Sequence, residues 1–358
     1  MGRVRVAVLK TSPETVLDDI RTLMGLADYQ SFLSKDRDTL IKLNLSWTKY
    51  FPSCSSQPWQ VEGVVRTLLE DGYSRKKLIP VENKTVVTNP MKGARNNKWL
   101  PILGKYGLDF VPLPDVEWMV YPFKSSLLKL NEIFPEGILI PKIYVGTNIL
   151  HLPTVKTHGH STTTGAVKNA FGGLLKEVRH YAHKYIHEVL VDLLNMQREL
   201  HPGLFAVMDG TVCGNGAGPR TMLPEIKNII LASGDSLAID AVAAKIMGFE
   251  PMDIPYIRMA HERGLGVGDL REVEIAGEDI AELNFGFKTR RSFVIWGDQM
   301  IRKGFLRPFE RLLLHSPLVF WAPFASNVYH DLMWYPTIGR KRIRRFMKTE
   351  WGALWKKY

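Results

Sequence analysis

Apolar and polar positions come in short alternating blocks along most of the chain. Residues 3–9 alternate with a period of two, as a half-covered strand does, and residues 13–29 carry apolar side chains at helical spacing. The pair of patterns recurs as a strand over 39–45, a helix over 61–71, a strand over 77–81, a helix over 99–106 and a strand over 108–112. Further on, the pattern predicts apolar strands within 138–152, helices over 165–175 and 184–199, and strands over 204–208 and 229–232. Helices over 236–247 and 254–263 and a strand near 273–275 complete the series. Such alternation builds a mostly parallel sheet with helices on both faces, so the expected fold class is doubly wound α/β. The stretch 115–136 contains prolines and no clean period, which places a boundary there between an N-terminal lobe (1–125) and a second lobe (126–287).

Composition agrees with a water-facing body, since 45% of the 358 residues are hydrophobic and 23% charged. The longest apolar run, 312–325, is interrupted by His315, Pro317 and Pro323 and falls short of the roughly 20 residues that a membrane-crossing helix needs. The first ten residues do not have the pattern of a secretory signal. Cys54 and Cys213 are the two cysteines, too few for an iron-sulfur cluster or a structural zinc site. A cytoplasmic place is expected, with no iron-sulfur cluster bound by this chain.

The net charge of +11 is confined to one end. Residues 288–358 hold fifteen Lys and Arg against four Asp and Glu, and the remainder is balanced. This basic extension is also rich in aromatic residues, and it is expected to pack back on the body. Docking on a membrane surface or a protein partner is the second reading. Nucleic acid is the least favoured, because no nucleic-acid module accompanies the charge.

Candidate chemistry concentrates in 151–187, which reads HLPTVKTHGHSTTTGAVKNAFGGLLKEVRHYAHKYIH. Lys156, His158 and His160 alternate at the end of a strand and so share a face. Thr163 and Thr164 stand just before a helix, where backbone N–H groups favour a carboxylate or phosphate, and Lys168 and Asn169 follow one turn later. His180, His183 and His187 fall on one helical face, with spacing that suits metal ligation or proton transfer near neutral pH. Lys42 and Asn44 sit at the carboxyl end of a strand, where open α/β sheets place ligands. The glycine-rich run 209–219, with Asp209 and Asn215, is expected to be a rigid turn facing the ligand. Asp240 lies in an otherwise apolar helix, so its carboxylate must face the cleft or pair internally.

Six segments carry a family resemblance: IKLNL (41–45), LPTVKTH (152–158), TGAVKNAFGGLL (164–175), DGTVCGNGAGP (209–219), SGDSLAIDAVAAKIMGF (233–249) and GLGVGDLREVEIAGE (264–278). In this order they resemble the domain-of-unknown-function family 362, over roughly residues 3–280. Some members of that family carry a ferredoxin-type domain, whose clustered cysteines this chain lacks. The spacing from His158 to Lys168 also looks like that of the nickel-pincer lactate racemases. That likeness implies a proton-transferring His158, a cofactor-anchoring Lys168 and a metal-ligating His183 or His187, although the loop between His158 and Lys168 does not match residue for residue.

Together these features predict an enzyme of isomerase- or lyase-like proton transfer acting on a small anion. His158, Lys168, His183 and Asp240 are its expected catalytic residues. Lys42, Asn44, Lys156, Thr163, Thr164, Asn169, Asp209 and Asn215 would hold the substrate, and His160, His180 and His187 a divalent metal or metal-containing cofactor. The alternative is an accessory protein that binds a phosphorylated or metal-containing cofactor, or a redox partner of an iron-sulfur protein.

Overall fold

The computed structural model describes residues 3–85, 87–176, 182–290, 297, 300, 304 and 321–358. The chain begins with β1 (Val4–Lys10), α1 (Val16–Leu26), α2 (Tyr29–Phe32), β2 (Thr39–Lys42), α3 (Pro58–Glu70), β3 (Leu78–Glu82), α4 (Pro90–Asn96), α5 (Trp99–Lys105) and β4 (Val111–Pro112). Next come β5 (Trp118–Val120), α6 (Leu130–Ile133), β6 (Leu139–Pro141), β7 (Asn148–His151), β8 (Thr154–His158), β9 (Thr162–Thr163), α7 (Ala166–Leu174) and α8 (Ile186–Leu200). The body closes with β10 (Leu204–Ala217), β11 (Thr221–Ser233), α9 (Ser236–Met247), α10 (Pro255–Glu262) and β12 (Val273–Gly277). Beyond it lie α11 (Trp321–Asn327), a π-helical segment (Val328–Gly339), α12 (Arg340–Phe346) and α13 (Glu350–Lys357).

Local chemistry accounts for several of these bounds. Pro58 occupies the first turn of α3, where the Gln60 side chain accepts the Gln57 backbone N–H at 3.3 Å. Asp235 accepts hydrogen bonds from the Leu237 and Ala238 amides at the start of α9, which Gly248 ends with a φ of 101°.

Ten strands form one sheet in the order β12-β1-β11-β10-β7-β2-β3-β4, with β8 attached to β10 and β9 to β8. Pairing is parallel except where β11 meets β1 and β10, and where β9 meets β8. Both faces are covered. Ile41, Leu150, Phe205, Val207 and Ile230 pack against α1, α3 and α5, while their strand neighbours Leu40, Ile149, Ala206 and Leu231 face the helices α7 to α10. This is the expected doubly wound architecture. Strands from either side of residue 125 interleave in this one sheet, so the boundary placed there does not separate two sheets.

One expectation is overturned. Residues 209–219 do not form a turn toward a ligand, because most of them lie in β10, a 14-residue strand paired with the 13-residue β11. The glycines serve strand packing instead. A β-carbon at Gly214 would strike Met222 and Lys156, and one at Gly218 would overlap the Thr157 carbonyl.

The described part of the C-terminal extension packs on the α3 side. Trp351 is 1% exposed, lies 4.8 Å from the Trp59 ring and donates its indole N–H to Asn228 Oδ1 at 2.7 Å. Trp355 lies 4.3 Å from Tyr50, with the Lys98 ammonium 4.0 Å above it. Replacing Trp351 with Ala is expected to cost about 3–5 kcal/mol, read as a lower midpoint in urea denaturation. No described helix is long and apolar enough to cross a membrane.

Candidate functional site

Three neighbouring parallel strands end on polar residues: β7 on His151, β2 on Lys42 and β3 on Glu82. Carboxyl ends of parallel strands are the ligand-facing edge of open α/β sheets. Here they are filled by a buried network. The Lys42 ammonium lies 2.7 Å from Glu82 Oε1 and 2.5 Å from the Leu43 carbonyl. Asn169, from α7, donates to the Lys42 carbonyl at 3.0 Å and to His151 Nδ1 at 3.3 Å, and accepts from Asn44 at 3.3 Å. His151 Nε2 reaches Gln197 Oε1 at 2.6 Å, and burial holds this imidazole neutral by lowering its pKa to about 3.

Lys156 stands beside this network on β8. Its ammonium contacts Asn44 Oδ1 at 2.6 Å, Thr154 Oγ1 at 2.7 Å and the Cys54 carbonyl at 2.8 Å. An ammonium has three N–H donors, so all of them are used inside the protein. Burial lowers its pKa to about 8. Lys156 and Lys42 therefore bring positive charge to the site while their hydrogen bonds shape its base. Lys168, by contrast, is half-buried, with its ammonium 4.9 Å from the Phe171 ring.

His158 ends β8 and is 5% exposed. Its Nδ1 faces the backbone N–H groups of His160 and Ser161, both at 3.2 Å, and the Ser161 hydroxyl at 3.1 Å. The Ser161 O–H itself donates to the Thr163 carbonyl at 2.8 Å, so the two backbone N–H donors make this ring nitrogen the acceptor, and the neutral ring carries its proton on Nε2. Burial, then the positive charge of Lys168 and the neighbouring His160 and His183, keeps its pKa well below the ordinary 6.5. The His158 and His160 ring centroids are 5.9 Å apart, His160 and His183 5.8 Å, and His183 and Phe171 5.3 Å. His160 and His183 are half-buried, like Lys168. His158, His160, Lys168 and His183 thus form one group, with His158 at its buried end.

The other expected residues have different places. Asp240 does pair internally: its carboxylate accepts the amides of Ala166 at 2.6 Å and Val167 at 3.2 Å and the Tyr256 hydroxyl at 3.2 Å, fastening the start of α7. Burial raises its pKa to about 7. Thr163 meets the Tyr256 hydroxyl at 3.3 Å, and Thr164 donates toward the carbonyls of Thr154 and Lys156 at the same distance. Asp209 accepts from Trp59 Nε1 at 2.8 Å and from Thr211, and Asn215 pairs with Glu225 across the hairpin at 2.7 Å. Neither Asp209 nor Asn215 joins the His158 group, because their carboxylate and amide are committed to the α3 interface and the β10–β11 ladder.

For metal ligation, His180 lies outside the described residues. His187 stacks on Tyr256 with centroids 6.2 Å apart. Among the described residues, three metal-competent ligand atoms come within 4.8 Å of one another at His261, Asp269 and Glu272, a partly exposed group distant in sequence from the 151–187 segment. A cleft of about 610 Å3 lined by Arg3, Arg5, Phe32, Arg198 and Gly234 contains none of the lysines or histidines of that segment. Glu82, His151 and Gln197 are site-forming residues that the sequence reading did not assign. Glu82 carries a legible signal, as it directly follows the strand predicted over 77–81; Gln197 carries none.

A doubly wound sheet with basic and imidazole groups at its carboxyl edge defines the class. The family model described as "Domain of unknown function (DUF362)" matches residues 39–245, and the chain belongs to this family. It is also similar to a thylakoid-associated protein of Synechocystis sp., at 25% identity over 288 residues, 78% of this chain and 82% of that one. No solved structure matches significantly.

Proposed function

We propose that the group formed by His158, His160, Lys168 and His183 binds a small oxyanion, a carboxylate or phosphate, and transfers a proton beside it. The observation that carries this reading is the neutral His158 with its acceptor nitrogen fully engaged. Such a ring serves as a hydrogen-bond donor through Nε2 to an oxygen that gains negative charge, rather than as a base. This changes the role expected of His158. Lys168 supplies the compensating charge, and half-exposed His183 or His160 is placed to accept the proton.

The buried network below serves to hold these groups in position. Lys42, Glu82, Asn44, Asn169 and Lys156 connect β2, β3, β8 and α7, so the base of the site and the helix bearing Lys168 are tied together. The thylakoid association of the Synechocystis relative supports a place at a membrane surface for this chain also.

The test is calorimetric titration with inorganic phosphate and with short 2-hydroxy- and 2-oxocarboxylates, paired with NMR detection of deuterium entering the carboxylates from D2O. Binding by the wild-type chain is expected to weaken roughly tenfold or more in Lys168→Ala, as for loss of a charge-assisted contact. Exchange should disappear in His158→Ala. Binding that Lys168→Ala leaves unchanged would overturn the reading.

A further inference from the structure

We infer that the exposed side of the C-terminal helices, from Phe324 to Lys348, is a docking surface for an anionic lipid bilayer. This rests on the membrane-surface reading above and gives it a location on the molecule.

The inner side of this segment is fixed. His330, Trp334 and Gly339 recur at the wider spacing of a π-helix and are buried, with Trp334 5.3 Å from Phe51 and 6.0 Å from Trp47. The outer side is then forced into solvent, and the residues found there are apolar. Phe324 is 69% exposed, Leu332 70%, Met333 60% and Ile338 46%. These four large apolar side chains belong to none of the buried core clusters, and water around them is unfavourable.

The next turns supply the second half of the argument. Arg340, Lys341, Arg344 and Arg345 are exposed, and none forms an ion pair with an acid among the described residues. Asp331, the acid nearest in sequence to the apolar row, is turned inward to the Trp47 indole N–H at 2.6 Å. A row of apolar side chains continued by a row of cations matches the acyl and headgroup layers of an anionic leaflet, with the helices lying in the interface plane. The exposed charges of this segment have one sign. That suits a laterally mobile anionic surface better than a protein partner, which would need a defined counter-shape.

The experiment is sedimentation of the full chain with vesicles of phosphatidylcholine alone and of phosphatidylcholine mixed with phosphatidylglycerol. Binding is expected to the mixed vesicles only, and to weaken as salt is raised. Leu332→Glu with Met333→Glu, and separately Arg344→Glu with Arg345→Glu, should each reduce it on the order of tenfold or more, with the thermal midpoint retained. Lys76→Glu, on another exposed surface, is the control expected to bind as wild type. Absence of any binding to anionic vesicles overturns both this inference and the membrane-surface reading. Binding that survives both pairs of substitutions overturns the docking surface alone. A change from dimer to monomer in Leu332→Glu with Met333→Glu, without a change in vesicle binding, assigns the surface to a second copy and overturns it likewise.

Discussion

Acidification is expected to unfold this protein steeply, with stability falling by up to about 2.7 kcal/mol per pH unit near pH 5. Four buried histidines produce the effect. Burial lowers the pKa of His151 and His330 to about 3 and of His201 to about 4, and holds His158 well below 6.5. In the unfolded chain all four titrate near 6.5, so at pH 5 that state holds about four protons that the native state refuses. Their contribution is intact above the unfolded value and is lost as the pH falls toward the native ones. Asp209 and Asp240 oppose this, because burial raises them to about 6 and about 7. Each retains a native-state proton that the unfolded chain releases above about pH 4, so their contribution is present in acid and lost as pH rises through 6 to 7. The difference is about two protons in favour of unfolding, and Asp192 and Asp235, also raised by burial, reduce it somewhat. Urea midpoints measured between pH 7 and pH 5 check the slope, and a flat profile would contradict the burial of these imidazoles.

Gly165→Ala is expected to cost about 3 kcal/mol and to abolish anion binding together with it. A β-carbon at this position would overlap the Asp240 carboxylate, which caps α7 through the Ala166 and Val167 amides. The overlap must expel either the carboxylate or the first turn of the helix. Both Lys168 and Asn169 lie in that turn, so the same displacement disconnects the network below the site and moves the cation above it. Asp240→Asn retains the shape but turns an amide donor toward one of the N–H groups, at a cost of about 1–3 kcal/mol. Thermal denaturation of the two variants, with phosphate titration of whatever remains folded, measures both effects. An alanine variant as stable as wild type would show that α7 is not held in this way.

Much of the architecture was legible because alternating periods of two and of 3.6 leave little choice but a helix-covered sheet. What escaped was non-local. Gly214, Gly216 and Gly218 read as a turn because glycine usually marks one, yet Val212 and Cys213 before them and Asn215 and Ala217 between them pair with β11 and keep the chain extended. The interleaving of β1, β11 and β10 cannot be deduced from element order alone, since antiparallel pairing joins the first strand to one far along the chain. At the site, proximity of His158 and Lys168 followed from their places at a strand end and in the next helix. Their roles did not, because the protonated nitrogen of His158 depends on where two backbone amides point. Nor could spacing reveal that the donors of Lys156 are taken by Thr154 on its own strand and by Asn44 and Cys54, brought to it from the connection between β2 and α3.

The central claim is the neutral His158 that donates from Nε2 next to the charge of Lys168. Nitrogen-15 NMR of the histidine side chains, with His158 assigned by substitution, tests it most directly. The account predicts a protonated Nε2 and an unprotonated Nδ1 at pH 7 and no titration of that ring down to the pH at which the fold is lost. A ring protonated on Nδ1, or one that gains its second proton near pH 6.5, would contradict it.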